Sequence, residues 1–155
     1  MSNAMTLVIK SINSTNTEQI AEQIGKNLKG GELIELISDL GGGKTMFVKG
    51  LAKGAASDDL VSSPTFTISK LYKCPYFDIR HFDFYRLVDP GIVSLELEEF
   101  IDDKKVVTII EWADIVRGVL PEDRLKINIE IIGDYERMLH ISYPEKFNYL
   151  LEGLK

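Results

Sequence analysis

One segment constrains this chain more than any other: Ser38-Asp39-Leu40-Gly41-Gly42-Gly43-Lys44-Thr45. It follows Glu32–Ser38 (ELIELIS), an apolar run that reads as a buried strand. It leads into Lys44–Ala55, which reads as a helix with Phe47, Val48, Leu51 and Ala55 along one side. A glycine-rich turn between a strand and a helix is the setting a phosphate-binding P-loop requires. Glycines let the backbone wrap a polyphosphate and aim amide groups at it, and the helix N-terminus adds a favourable dipole. The expected nucleotide contacts are Asp39, Leu40, Gly41, Gly42, Gly43, Lys44, Thr45 and Met46. Lys44 would reach the β- and γ-phosphates, and the Thr45 hydroxyl would hold Mg2+. The usual pattern opens on glycine; here Ser38 stands there, which suits a residue that needs no positive φ. The bland alternative is a glycine-rich turn with a chance Lys-Thr.

The rest of the chain reads as strands mixed with helices. Thr6–Ile12 is an expected strand. Thr15-Asn16-Thr17-Glu18 matches a capping box opening a helix that carries Ile20, Ala21, Ile24 and Leu28, and Gly30-Gly31 closes it. Thr65–Tyr72 and Tyr76–Tyr85 are expected strands, and Leu95–Ile101 a short helix. Val106–Ile110 is a β-branched run typical of a strand buried on both faces. Leu125–Ile132 and Met138–Ser142 read as closing strands joined by a turn at Gly133-Asp134, and a helix is expected after Pro144. The pattern predicts an α/β, three-layer P-loop NTPase-like domain with a mixed central sheet and antiparallel strands at the edges. Met1–Ala4 ahead of Met5 reads as an expression scar, leaving 5–155 as a single domain.

A P-loop enzyme needs acidic partners for metal and water. Glu111 directly follows the Val106–Ile110 run and so lies at the carboxyl end of a strand, where open α/β sheets bind ligands. Asp83 lies near the end of another expected strand, within Arg80-His81-Phe82-Asp83-Phe84-Tyr85-Arg86. Either could hold Mg2+ or orient the attacking water; alternatively, one merely caps a helix or pairs with Arg86. Thr65, in Ser62-Ser63-Pro64-Thr65-Phe66-Thr67, suits a γ-phosphate sensor or simply a proline-led strand entry. The Asn/Thr-Lys-x-Asp signature for guanine is absent, which favours ATP.

Composition narrows the class. The 155 residues include 45% hydrophobic and 27% charged side chains, the balance of an ordinary globular protein. A formal charge of −6 argues against a broad basic surface for gripping nucleic acid. The lone Cys74 excludes an intramolecular disulfide and fits a reducing compartment. No apolar run reaches the ~18 residues of a membrane span, so a soluble cytoplasmic protein is expected. His81 reads as a hydrogen-bonded structural residue, Cys74 as an incidental thiol, and Glu96, Glu98, Glu99, Asp102 and Asp103 as a solvated acidic stretch.

Taken together, SDLGGGKT, SPTFT, HFDFYRL and IEW resemble the TsaE (YjeE) family of bacterial P-loop ATPases. The resemblance runs from Ser11 to Ser142. It includes Leu120-Pro121 followed by Arg124-Leu125, and Arg137 between the closing strands. It implies an ATP- and Mg2+-dependent ATPase that binds the TsaD–TsaB pair and meets tRNA only through that complex. Its nucleotide cycle would support synthesis of threonylcarbamoyladenosine beside the anticodon. It further implies Lys44 on phosphate, Thr45 on Mg2+, Glu111 as a second metal-associated carboxylate and Asp83 as the Walker-B-like acid. Thr65 would lie in a switch-like segment, Trp112 beside the glutamate, and Asn16-Thr17 near the nucleotide base. Two other readings remain open: a small-molecule kinase, disfavoured because Arg80, Arg86, Arg117, Arg124 and Arg137 do not cluster in one lid, and a scaffold gated by nucleotide binding alone.

Overall fold

The computed structural model describes residues 4–39, 41–62, 69–85 and 91–155. Leu40, the Thr65 segment and Arg86 lie outside these residues. Strands β1 (Met5–Ser11), β2 (Leu33–Ile37), β3 (Ser69–Lys73), β4 (Asp78–Asp83), β5 (Val106–Glu111), β6 (Leu125–Ile131) and β7 (Arg137–Tyr143) form one sheet. Their order is β1-β7-β6-β2-β5-β4-β3. The centre, β6-β2-β5-β4, is parallel. β7 and β1 extend one side antiparallel, and β3 closes the other side antiparallel to β4. The mixed sheet with antiparallel edges is therefore present.

Strand periodicity sorts side chains into two layers. Ile34, Leu36, Ile79, Val107, Ile109, Leu125 and Ile127 face helices α1 (Ser14–Asn27) and α2 (Lys44–Gly54) and the 3-10 helix Glu145–Leu151. Leu33, Phe82 and Ile110 face the other way, onto Leu97 of α3 (Gly91–Ile101) and Ala113 and Val116 of the 3-10 helix Ala113–Val119. β5 is buried along its whole length, as a β-branched run between two helical layers must be.

α1 and α2 meet almost backbone to backbone. A Cβ on Gly50 would lie 2.3 Å from the Glu18 carbonyl oxygen, and one on Gly54 2.1 Å from that of Glu22. Glycine at both positions allows α2 to sit close to its neighbour, which fixes where its N-terminus emerges beside β2.

Several boundaries differ from expectation, β4 among them, which spans Asp78–Asp83 and not Tyr76–Tyr85. α1 begins at Ser14, capped by Asn13 rather than by Thr15. Asn13 Oδ1 accepts from the Asn16 amide at 2.8 Å, and Asn16 Oδ1 accepts from the Ile12 amide at 3.1 Å. The reciprocal cap is thus an asparagine pair, asparagine being the stronger N-cap. α1 ends at Asn27, before the glycines, which instead carry the positive-φ turn into β2. The run after Pro144 is a 3-10 helix, and α3 starts four residues earlier than the periodicity indicates, at Gly91.

Candidate functional site

Side chains from three elements gather where β2, β4 and β5 end. β2 runs into Ser38 and Asp39, and the chain then turns through Gly41, at φ 78°, and Gly43, at φ 104°, before entering α2 at Lys44. Only glycine adopts such angles without strain. Gly42 is constrained differently: a Cβ there would lie 2.1 Å from Ser38 Oγ. The Ser38 hydroxyl, which donates to the Asp39 carbonyl at 2.7 Å, occupies that space. Ser38 needs no positive φ, so serine is compatible with the first loop position. Arg137 steadies the loop from β7, its Nε donating to the Gly42 carbonyl at 3.1 Å and its Nη1 to the Gly133 and Glu136 carbonyls.

Lys44 is 8% exposed, and its Nζ donates to the Ser38 carbonyl at 3.0 Å. The ammonium also lies 4.4 Å from the centre of the Trp112 ring, within cation–π range. Burial pushes the Lys44 pKa down, while Glu111, Asp83 and Asp39 pull it back up. Trp112 reaches this position because it leaves β5 in the left-handed conformation (φ 57°, ψ 54°), and its ring packs against Tyr85, 4.9 Å between centroids. Thr45, exposed at the first turn of α2, lies next to Lys44.

Asp83 and Glu111 are paired in register at the ends of β4 and β5, on the α2 face. Burial raises the Asp83 pKa; the Tyr85 amide, donating to Oδ1 at 3.0 Å, opposes the shift, and Glu111 adds to it. That amide bond means Asp83 does cap the turn after β4 while also facing Lys44. Glu111 is 3% exposed and its Oε2 lies 2.5 Å from Nε2 of the fully buried His81. The structure thus brings together Lys44, Asp83, Glu111 and Trp112.

Thr17 does not join them. Its hydroxyl is buried against Ser11 Oγ at 2.6 Å and the Asn13 carbonyl at 3.3 Å, so it serves the entry into α1. It nevertheless borders a cavity of about 120 Å³ beside the loop, lined also by Asn13, Gly42, Met46, Tyr135 and Arg137. Tyr135 escaped the sequence reading because a solvent-facing turn tyrosine carries no periodic signal. Cys74 has no activating neighbour, and burial pushes its thiol up to about 11.

The loop, its lysine and two carboxylates suit a Mg2+-nucleotide. Among the described residues no group of three or more His, Cys, Asp or Glu is arranged to hold a metal alone. Mg2+ usually takes one or two carboxylates plus substrate phosphates and water. Burial, and to a lesser degree Glu111, raises the Asp83 pKa, and the two carboxylates in register form a like-charge pair that a divalent cation would relieve.

Comparison with known proteins identifies the family. The family model described as "Threonylcarbamoyl adenosine biosynthesis protein TsaE" matches residues 11–139. The chain is 38% identical over 128 residues to "tRNA threonylcarbamoyladenosine biosynthesis protein TsaE" of Bacillus subtilis, covering 83% of this chain and 80% of that protein. It is 34% identical to the protein of the same name from Rickettsia bellii, covering 81% and 88%. A crystal structure of YdiB from Bacillus subtilis superposes with a TM-score of 0.80 at 32% identity, over 99% of this chain and 97% of that one. With a loop, carboxylates and sheet order of this kind, and relatives matched over most of their length, the chain belongs to the TsaE family.

Proposed function

We propose that this protein is an ATP-binding, Mg2+-dependent ATPase that supports threonylcarbamoyladenosine modification of tRNA together with TsaD and TsaB. The observation that carries the reading is the convergence of Lys44, Asp83 and Glu111 beside a glycine loop at the carboxyl ends of parallel strands. The matched family model and relatives are described as threonylcarbamoyladenosine biosynthesis proteins.

The chemistry is attack of water on the γ-phosphoryl group. Loop amides from Gly41 to Thr45 bind the phosphate oxygens, and Lys44 stabilises charge developing between the β- and γ-phosphates. Lys44 first leaves the Ser38 carbonyl, so phosphate oxygens replace a neutral acceptor with a charged one. Thr45, Asp83 and Glu111 would hold Mg2+, which neutralises phosphate charge when bound. Either Asp83 or Glu111 would also order the attacking water, directly or as a water held beside the metal. Thr65 is the proposed γ-phosphate sensor, and the cavity that Thr17 and Tyr135 line beside Gly42 and Gly43 is the proposed place for the nucleoside.

The arginines favour ATPase over kinase. Arg117 and Arg124 bind Glu35, Arg137 holds loop carbonyls, and Arg80 stacks over Phe100 at 4.6 Å. Among the described residues none is presented as a lid over a transferred phosphate. Hydrolysis by the isolated chain is therefore slow, and a partner completes the site. The −6 charge fits a subunit that leaves tRNA to its partners. The test is phosphate release from ATP by the purified protein, with and without TsaD–TsaB and tRNA. ADP and free phosphate, released faster with the partners, support the reading; no partner effect on hydrolysis or on tRNA modification refutes it.

A further inference from the structure

His81 is a fully buried imidazole on the apolar face of the sheet, flanked along β4 by Ile79 and opposite Ile109 of β5. Such a position costs free energy unless the ring's polar atoms are used. Among the described residues only one is: Nε2 meets Glu111 Oε2 at 2.5 Å, whereas Nδ1 is buried without a hydrogen-bond partner. A carboxylate accepts only, so Nε2 carries the proton and donates. The Tyr72 ring, at 6.3 Å between centroids, offers the imidazole packing alone. A side chain kept for packing would be apolar here; among the described residues the one polar contact this histidine makes is with Glu111.

The contact is diagonal across parallel strands. Asp83 lies directly opposite Glu111, and His81, two residues earlier on the same face, reaches forward to the carboxylate. Among the described residues Oε2 is the only oxygen of Glu111 that is hydrogen-bonded. Fixing it sets the side-chain rotamer at the end of β5 and leaves Oε1 for chemistry beside Lys44 and Asp83.

We propose that His81 is the positioning residue for Glu111, its Nε2–H clamping one carboxylate oxygen so that the other is presented to the nucleotide site. The proposal rests on the ATPase reading above. A carboxylate anchored by a single buried donor loses its orientation, but not its charge, when the donor is removed. Losing the clamp therefore slows turnover while leaving nucleotide binding intact, as with partners that orient metal ligands.

The test uses His81→Gln and His81→Asn. Glutamine places an amide N–H where Nε2 lies, while asparagine reaches only the Nδ1 position. Steady-state hydrolysis of MgATP by the full chain should show H81N about 10-fold or more below wild type in kcat, with KM within about two-fold, and H81Q recovering most of the loss. In a Glu111→Gln background, adding H81N should cost nothing further, because the clamp then has no carboxylate to orient. Equal losses in H81Q and H81N, a rise in KM matching the fall in kcat, or an additional 10-fold loss in the double variant overturns the proposal. E111Q turning over at the wild-type rate overturns the catalytic reading itself; a slow E111Q alongside a normal H81N overturns only this inference. Melting curves for both variants separate unfolding from misorientation, and a lowered melting temperature shared by H81Q and H81N with equal activity loss makes His81 a packing residue.

Discussion

Glu35 and Glu111 are glutamates on adjacent central strands, 1% and 3% exposed, and they do opposite work. Glu35 pairs with Ile110, and Leu36 with Glu111, so the two carboxylates point to opposite faces of the sheet. Glu35 is closed off. Arg124 Nε donates to Oε1 at 2.9 Å and Arg117 Nη2 to Oε2 at 3.0 Å, and Arg124 also donates to the Pro121 carbonyl. Glu111 has one described partner, on one oxygen, and shares its surroundings with Asp83 and Lys44. Burial alone therefore does not distinguish a frame from a site; electrostatic closure does. The Glu35 cluster ties the 3-10 helix Ala113–Val119 and the turn before β6 to β2, which in turn fixes where Trp112 starts.

The largest effect that tests this contrast is on stability. Glu35→Ala leaves the buried Arg124 without its carboxylate and should cost about 3–5 kcal/mol, measured by urea unfolding. A loss near that of an exposed pair, about 1 kcal/mol or less, breaks the comparison. Glu111→Gln should show the reverse: unfolding free energy within about 1 kcal/mol of wild type, and phosphate release lowered about 100-fold. Stability falling as far as for Glu35→Ala would make Glu111 a frame residue.

A smaller effect tests the loop. Gly42→Ala forces a methyl against Ser38 Oγ, and we expect ATP affinity to fall about 10-fold by calorimetry, with a compensating Ser38→Gly change recovering most of it. Failure of Ser38→Gly to rescue would place the constraint in the Asp39 carbonyl instead, 3.0 Å from the added carbon. The smallest effect concerns Asp83 in the nucleotide-free protein. Its carboxyl pKa is raised above 3.8 on folding, mainly by burial, so its ionisation opposes folding. Stability from this group is fully present below 3.8 and is lost as pH rises through the raised value. Asp83→Asn should therefore melt slightly higher than wild type at neutral pH, with the gap closing as pH falls toward 3.8. A gap that widens on acidification reverses the assigned sign.

Much of the frame is legible in the residues. The ELIELIS and Val106–Ile110 runs carry apolar residues on both alternating faces, Glu35 and Thr108 apart, because helices cover both sides of the central strands. Lys44, Asp83 and Glu111 are readable as candidates because each stands at the end of an expected element. The cap of α1 is less legible, since Thr15 and Asn13 both offer good capping chemistry and the winner depends on how β1 delivers the chain to α1. The Glu35 cluster escapes sequence reading altogether. Its partners lie 82 and 89 residues away, and ELIELI reads equally well with Glu35 at a strand edge.

By itself the sequence determines the glycine-rich loop, its helix and the strand ends that carry acids, because these depend on local backbone freedom and short-range periodicity. No helix among the described residues is long and apolar enough to cross a membrane. Tertiary structure decided the rest: that Lys44 rests on Ser38 and under Trp112, that Arg137 braces Gly42, and that His81 reaches Glu111. Each of these contacts joins residues from different elements or turns, and the register of β4 against β5, the placing of β7 and the close packing of α2 bring them together.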